Sequence, residues 1–256
     1  MTGELDELVA LAAHGNAFLA GGGDAPELLD ANSTFRFVRS VEFVNGDGPS
    51  VVGTATWLTG LRDGGTTRLA IDADSIDPHF AAFANAGRWW LVASSPGGPV
   101  GWRGEWTVVE PHAPDHRIWA VTYRRLDRVP ERTSPPLDAT RLELQAALED
   151  VLAFCAPRST GFDDNFREAT AMLDSPSPTI RRLDDLLPER GYGLAARQLL
   201  AAASSAWVFG GMGSWNDLVF DDPESKDAYG KVSARLFDAV LCAAVAATNS
   251  FDPAVS

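Results

Sequence analysis

The hydrophobic period of this chain changes once, and that change constrains the fold more than any other feature. Through residues 34–126 apolar side chains mostly alternate with polar ones, as in Phe35, Phe37, Val41 and Phe43 against Arg36 and Glu42. Beyond Pro135-Pro136 they recur every third or fourth residue instead. A period of two puts alternate side chains on one face of a strand, and a period near 3.6 puts them on one face of a helix. Strands gathered in one half and helices in the other imply an α+β protein, not a chain of βαβ crossovers.

The change falls at Pro130-Glu131-Arg132-Thr133-Ser134-Pro135-Pro136. Adjacent prolines fit neither a helix interior nor a central strand, because each lacks an N–H and has a fixed φ. This segment divides a strand-rich half, residues 1–132, from a helical half, residues 137–256, and the two halves can still fold as one cooperative unit. In the first half a helix is expected over 4–20, ending at Gly21-Gly22-Gly23, with a short one after Pro26 and another over 77–85 started by Asp77-Pro78. Strands are expected over 34–44, 51–61, 66–72, 88–94, 101–109 and 117–126. Hairpin-sized connections such as Asn45-Gly46-Asp47-Gly48-Pro49 and Asp63-Gly64-Gly65 favour a mostly antiparallel sheet of about six strands. About five helices follow, over 138–156, 163–173, 179–187, 193–209 and 224–249. The last has the clearest start, with Asp222 as N-cap and Pro223 at the first helical position.

Charge narrows the classes of function. The net charge is −14, with both halves acidic, which argues against nucleic-acid binding because phosphate contacts need a basic face. Two lysines against nineteen arginines, with abundant Ala and Gly, suggest a GC-rich bacterial genome. The first residues are acidic, unlike the basic start of a signal peptide, and no apolar run reaches the length of a membrane span, so a cytoplasmic protein is expected. Cys155 and Cys242 fit that compartment as small hydrophobes in helical stretches, and Cys155, at the negative end of its helix dipole, is not expected to be a nucleophile.

Several constellations invite a chemical reading. Glu110-Pro111-His112-Ala113-Pro114-Asp115-His116 carries two histidines, but the prolines exclude a helix and a metal centre needs three or four convergent ligands. A polar loop between strands is the expectation. Asp72-Ala73-Asp74-Ser75-Ile76-Asp77 lacks the glycine and the full oxygen set of a calcium loop. No metal and no cofactor are expected. Arg117, Arg124, Arg125, Arg128 and Arg132 form a basic stretch that can meet the protein's own carboxylates. Six of the eight tryptophans, Trp57, Trp89, Trp90, Trp102, Trp106 and Trp119, lie in the strand-rich half. Because Trp89 and Trp90 must point to opposite faces, either both faces of the sheet are covered or one bears an aromatic patch.

The segment with the most unusual backbone demands is Phe209-Gly210-Gly211-Met212-Gly213-Ser214-Trp215-Asn216-Asp217. Gly211 and Gly213 permit positive φ, successive N–H groups can cradle an anion, Trp215 can stack on a ligand, and Ser214, Asn216 and Asp217 add polar groups. The same residues also suit a helix end followed by a tight turn. With Trp207 and Val208 before it, and Tyr229 and Asn249 on the next helix, the string resembles a segment of a family of uncharacterised bacterial proteins. The resemblance covers the C-terminal fifth of the chain and implies no activity. Three functions remain open: a non-catalytic binding or interaction protein with a protein partner or a second copy of itself, an enzyme with a pocket at residues 210–217, and an acidic immunity- or inhibitor-type protein set against a basic partner.

Overall fold

The structure, a computed structural model, describes residues 1–21, 23–46, 48–126, 129, 133–180 and 183–255. Gly22, Asp47, Arg128 and the Pro130-Glu131-Arg132 part of the divide lie outside the described residues. The first half contains α1 (Gly3–Leu19), α2 (Leu28–Ala31), β1 (Val38–Val44), β2 (Val51–Val52), α3 (Thr54–Asp63), β3 (Arg68–Asp74), β4 (Arg88–Ser95), β5 (Gly98–Val108) and β6 (Trp119–Leu126). The second contains α4 (Leu137–Cys155), α5 (Asp163–Asp174), α6 (Leu194–Ala206) and α7 (Pro223–Thr248). The architecture is α+β. No helix among the described residues is long and apolar enough to cross a membrane.

Three expectations need correction. The sheet is mixed, in the order β2-β1-β6-β5-β4-β3, with β1 and β6 parallel from Val38↔Trp119 to Val44↔Arg124 and every other pair antiparallel. Hairpin reasoning holds for β1–β2 and for the meander β3 to β6. It fails where the chain jumps through α3 to the far edge of the sheet, so that the meander returns beside β1. Alternation assigns a strand's faces but not its neighbours, and a helical connection lifts the antiparallel constraint.

The second correction concerns residues 51–61, expected as a strand and found as two strand residues followed by α3. Gly53, at φ 84°, ends β2 in a conformation that a side chain would strain. The start of α3 is then capped from a distance. Glu27 accepts from Thr54 N and Ala55 N, both at 3.3 Å, and from Thr54 Oγ1 at 2.9 Å. A carboxylate at a helix N-terminus meets both its free N–H groups and its dipole. Once the helix is set, Trp57 and Leu58 are buried while Thr56 and Asp63 face water.

Third, the described residues contain seven α-helices, of which the second half holds four in place of about five. Among the described residues of 179–187 no helix forms: Asp184 and Asp185 make a turn, and Leu186 and Leu187 a bend. Here Asp185 makes contacts of another kind. Its carboxylate accepts from Ser33 N at 2.7 Å and from Ser33 Oγ, and its carbonyl accepts from His14 Nε2 at 2.9 Å and Asn32 Nδ2 at 2.6 Å. A carbonyl can only accept, so His14 carries its proton on Nε2, and burial holds its pKa below the ordinary value. Asp185 thus fastens the helical half to α1 and to residues 33–35 of the strand-rich half.

The inward face of the sheet, with Val41, Phe43, Leu69, Ile71, Leu91, Trp102, Val121 and Tyr123 buried, packs under α1 and α3, while α4 to α7 pack together and α7 also meets β3. Buried residues from both halves form one continuous hydrophobic cluster. Trp89 and Trp90 are 4% and 7% exposed, so both faces of β4 are covered at that point. Along α7 Tyr229, Leu236, Phe237, Val240, Leu241 and Ala244 are all buried, as their spacing requires.

β3 forms one edge of the sheet, and its outward backbone groups are closed by two asparagines. Asn16 on α1 donates from Nδ2 to Leu69 O (2.8 Å) and accepts from Leu69 N at Oδ1 (2.7 Å). Asn249, just past α7, does the same for Ile71, at 2.8 Å in both directions. Each carboxamide replaces one residue of a missing neighbouring strand. The opposite edge, β2, is two residues long. Both edges are therefore poor templates for pairing with another chain.

Under α1 lies a buried acid. Glu7 is 0% exposed; Tyr123 OH donates to its Oε2 at 3.1 Å, while Oε1 has no hydrogen-bond partner in the protein. Burial holds the Glu7 carboxyl well above its ordinary value of 4.5, with Glu4 and Asp6 reinforcing the shift. As pH rises above 4.5 the unfolded chain releases this proton while the folded chain keeps it, so stability falls until the folded group also titrates. Glu7→Gln is expected to remove that slope, gaining on the wild type progressively as pH rises and matching it in acid. Urea midpoints for both proteins across the acid-to-neutral range check this, and parallel curves would refute the protonated-Glu7 assignment.

Candidate functional site

Around residues 210–217 the structure builds a knot of internal bonds. Trp215 is 0% exposed, with the rings of Phe162, Phe166, Tyr229 and Phe154 at 5.5, 5.4, 5.5 and 6.1 Å. Its Nε1 donates to Ser233 Oγ at 2.7 Å, and Tyr229 OH donates to its carbonyl at 2.7 Å. The N–H groups of residues 213–216 are also engaged. Gly213 N donates to the Asp217 carboxylate, Ser214 N to Gly211 O (3.1 Å), Trp215 N to Val208 O (3.1 Å) and Asn216 N to Ser214 Oγ (3.3 Å). Ser214 Oγ donates to Gly210 O at 2.9 Å, and Asn216 Nδ2 reaches Pro78 O at 3.1 Å, tying the turn to residues 78–82. Gly213 sits at φ 84°, which closes the turn, and Met212 at its tip projects fully into solvent. The fold brings Gly211, Gly213, Ser214, Asn216 and Asp217 together around this turn, with the Trp215 ring facing the helical core and not solvent.

The other motifs scatter. His112 and His116 are exposed on the β5–β6 loop, where Glu110 and Asp115 pair with Arg39 at 2.8 and 3.5 Å. Among the described residues no three His, Cys, Asp or Glu side chains are grouped to hold a metal ion. Of the basic stretch, Arg117 pairs with Asp30 and Arg124 with Glu105, both at 2.7 Å, and Arg125 donates to Asn45 Oδ1 at 2.8 Å. Arg132, like Arg128, lies outside the described residues. Cys155 is buried and Cys242 exposed, both as free thiols.

A cleft that no motif marks lies where the halves meet. It encloses about 820 Å³ between the outward face of β3 and β4, α7 and residues 133–135. The strand register places Ala70 opposite Val92 and Arg68 opposite Ser94 on that face, and Leu241 and Val245 of α7 supply the facing wall. Charged groups rim this apolar floor. Arg68 donates to the Asn249 carbonyl, Asp238 accepts from Ser75 Oγ, and Asp72 Oδ1 accepts from Ala73 N at 2.8 Å. Among the described lining residues the charged groups are Arg68, Asp72 and Asp238. Partial desolvation in this lining raises the pKa of the surface-exposed Cys242 thiol and Asp238 raises it further, which keeps it a protonated, weakly nucleophilic group at neutral pH. The sequence singles out some of its lining, Asp72, Ala73, Ser75, Thr133-Ser134-Pro135 and Asn249, but not their meeting: the role of Asn249 depends on Ile71, 178 residues earlier.

Comparison with protein-family models, with curated proteins and with solved structures finds no match for this chain.

Proposed function

We propose that this protein is a non-catalytic binding protein whose ligand site is the cleft between the outward face of β3–β4 and α7. The observation that carries the reading is the cleft itself. Its volume of about 820 Å³ falls within the range of small-ligand pockets, and its apolar floor with a few charged rim groups matches how such pockets combine affinity with orientation. Asp238 stands on the rim and the whole chain carries −14, so the favoured ligand has an apolar body and a positive group. A stable cleft needs fixed walls, and Asn249 supplies one by joining the end of α7 to β3.

A thermal-shift screen of small amines and their uncharged analogues tests this reading against wild type and Ala70→Trp, whose indole fills the floor. A cationic ligand at about a hundred times its Kd is expected to stabilise the wild type by about 2.7 kcal/mol. The same ligand should leave the filled variant unmoved and bind Asp238→Asn more weakly. Equal stabilisation of wild type and Ala70→Trp would place binding elsewhere and end the proposal.

A second reading is favoured by the net charge alone: an acidic inhibitor-type protein that neutralises a basic protein partner. Such an association would weaken steeply with added salt and ignore Ala70→Trp, which separates it from cleft binding.

A further inference from the structure

A second pocket shares no lining residue with the cleft and contains one polar atom that the fold orients without using. It encloses about 590 Å³ between the C-terminal turns of α1, residues 24–26, residues 188–191 and the segment after α7. Ala17, Phe18, Pro26, Pro188, Phe251 and Pro253 give it apolar walls. Asp24, Glu189 and Arg190 also line it, all three exposed to water. The rear wall is set by internal bonds. Gly191 N donates to Val255 O at 2.9 Å and Gly191 O accepts from Asp252 N at 3.0 Å, while Arg197 donates to Pro188 O at 2.6 Å and to Glu189 O at 2.8 Å. Gly191 itself, at φ 88°, lies so close to the Phe251 ring that a Cβ there would stand 2.1 Å from it.

His14 supplies the polar atom. Its Nε2 donates to Asp185 O at 2.9 Å, and burial lowers its pKa from the ordinary 6.5, so at neutral pH the ring is uncharged with its one proton on Nε2. Nδ1 is then a lone-pair acceptor, and among the described residues no hydrogen bond reaches it. The two ring nitrogens point apart. With Nε2 turned to Asp185 and the half-buried ring lining the pocket, Nδ1 is left for what the pocket holds. A backbone carbonyl that takes one N–H of a histidine fixes both tautomer and ring orientation, which presets the other nitrogen for its partner. Apolar walls, one uncharged acceptor and charges only where water reaches them select against an ionic ligand, whose charge would lose water without gaining a buried counter-ion. The volume lies within the range of small-ligand pockets.

We infer that this pocket binds a small neutral molecule with an apolar body and one O–H or N–H group, which it donates to His14 Nδ1. The site is separate from the proposed cleft and does not depend on it. Binding should fall as pH is lowered through the His14 pKa, because the added proton takes the Nδ1 lone pair, and a bound donor should lower that pKa in turn. Asp185, Asp24, Glu189 and Arg190 are the charged groups around the ring.

Proton–nitrogen correlation spectra of the histidine rings in the full chain provide the test. Phenol and indole supply the donor, while anisole and N-methylindole keep the apolar body and lack it. Phenol or indole is expected to shift the His14 Nδ1 resonance on titration, with the methylated analogue binding about ten-fold more weakly. His14→Gln, whose amide N–H can still reach Asp185 O, identifies that resonance among the four histidines and should bring the donor ligand down to the level of its methylated analogue. Ala17→Phe fills the pocket with His14 left in place and should abolish binding. Ala70→Trp, in the cleft, should leave it unchanged, so this inference and the cleft reading fail separately. If His14→Gln does not fold, Ala17→Phe and the pH profile carry the test. The inference is overturned if neither phenol nor indole moves the Nδ1 resonance, if the methylated analogues bind as well, or if Ala17→Phe binds as the wild type does.

Discussion

Trp215→Ala is expected to destabilise the protein by about 3–5 kcal/mol, the cost of emptying a fully enclosed indole site. The indole fills the space among Phe154, Phe162, Phe166 and Tyr229, so its loss leaves four rings without their common neighbour. The backbone of the turn also depends on it, because Tyr229 OH anchors the Trp215 carbonyl. Trp215→Phe should cost less, retaining aromatic contact while depriving Ser233 Oγ of its donor. Met212→Ala, at the exposed tip of the same turn, should stay within about 0.5 kcal/mol of the wild type. Denaturant unfolding of the three variants decides between a structural knot and a ligand platform: a Trp215→Ala protein as stable as wild type would contradict the knot.

Asn16→Ala should be comparably costly, by about 2–6 kcal/mol, since it strips partners from two backbone groups at about 1–3 kcal/mol each. Both groups belong to Leu69, and Asn16 is only 2% exposed, so water cannot readily replace the carboxamide. Asn16→Asp should not rescue it, because a carboxylate oxygen would then face the Leu69 carbonyl. Asn249→Ala uncovers the same strand two residues further on, at a partly exposed position, and should cost less stability. Its signature should be association, since an uncovered β-edge pairs with other chains. Denaturation measures the first effect, and size-exclusion chromatography over a range of concentration measures the second. An Asn249→Ala protein that keeps the wild type's elution and stability would show that the edge needs no cover.

Both results bear on function through the cleft. One wall of the cleft is α7, and Asn249 determines how closely the end of α7 approaches β3. Loss of that contact should widen the cleft and weaken any ligand it holds before the fold itself gives way.

Legibility in the sequence varied with the distance over which each feature is decided. α7 was readable because its signals are local: Asp222 accepts from Ser225 N at 2.7 Å, Pro223 fits the first turn, and the buried face repeats at helical spacing. α3 was misread as strand because Val51, Val52, Thr54 and Thr56 favour strands locally, while its cap, Glu27, lies 27 residues before Thr54. The glycine turn stands out in the sequence, and its residues lie together in the fold. Whether its tryptophan faced solvent or core depended on Phe154, Phe166 and Tyr229 arriving from three separate helices, α4, α5 and α7. The cleft as a whole is not legible in the sequence, since its lining comes from segments far apart in the chain and from both halves.

The sequence by itself determined the α+β class, the change from strands to helices at the proline-rich segment, the acidic charge and the faces of the longer elements. Those properties follow from periodicity and composition, which act over a few residues. Only the tertiary structure decided that β6 returns parallel to β1, that two asparagines replace a missing strand beside β3, and that β3, β4 and α7 form a cleft between the two halves. These depend on hydrogen bonds and burial between residues far apart in the chain, and a local pattern holds no information about which distant group will complete it.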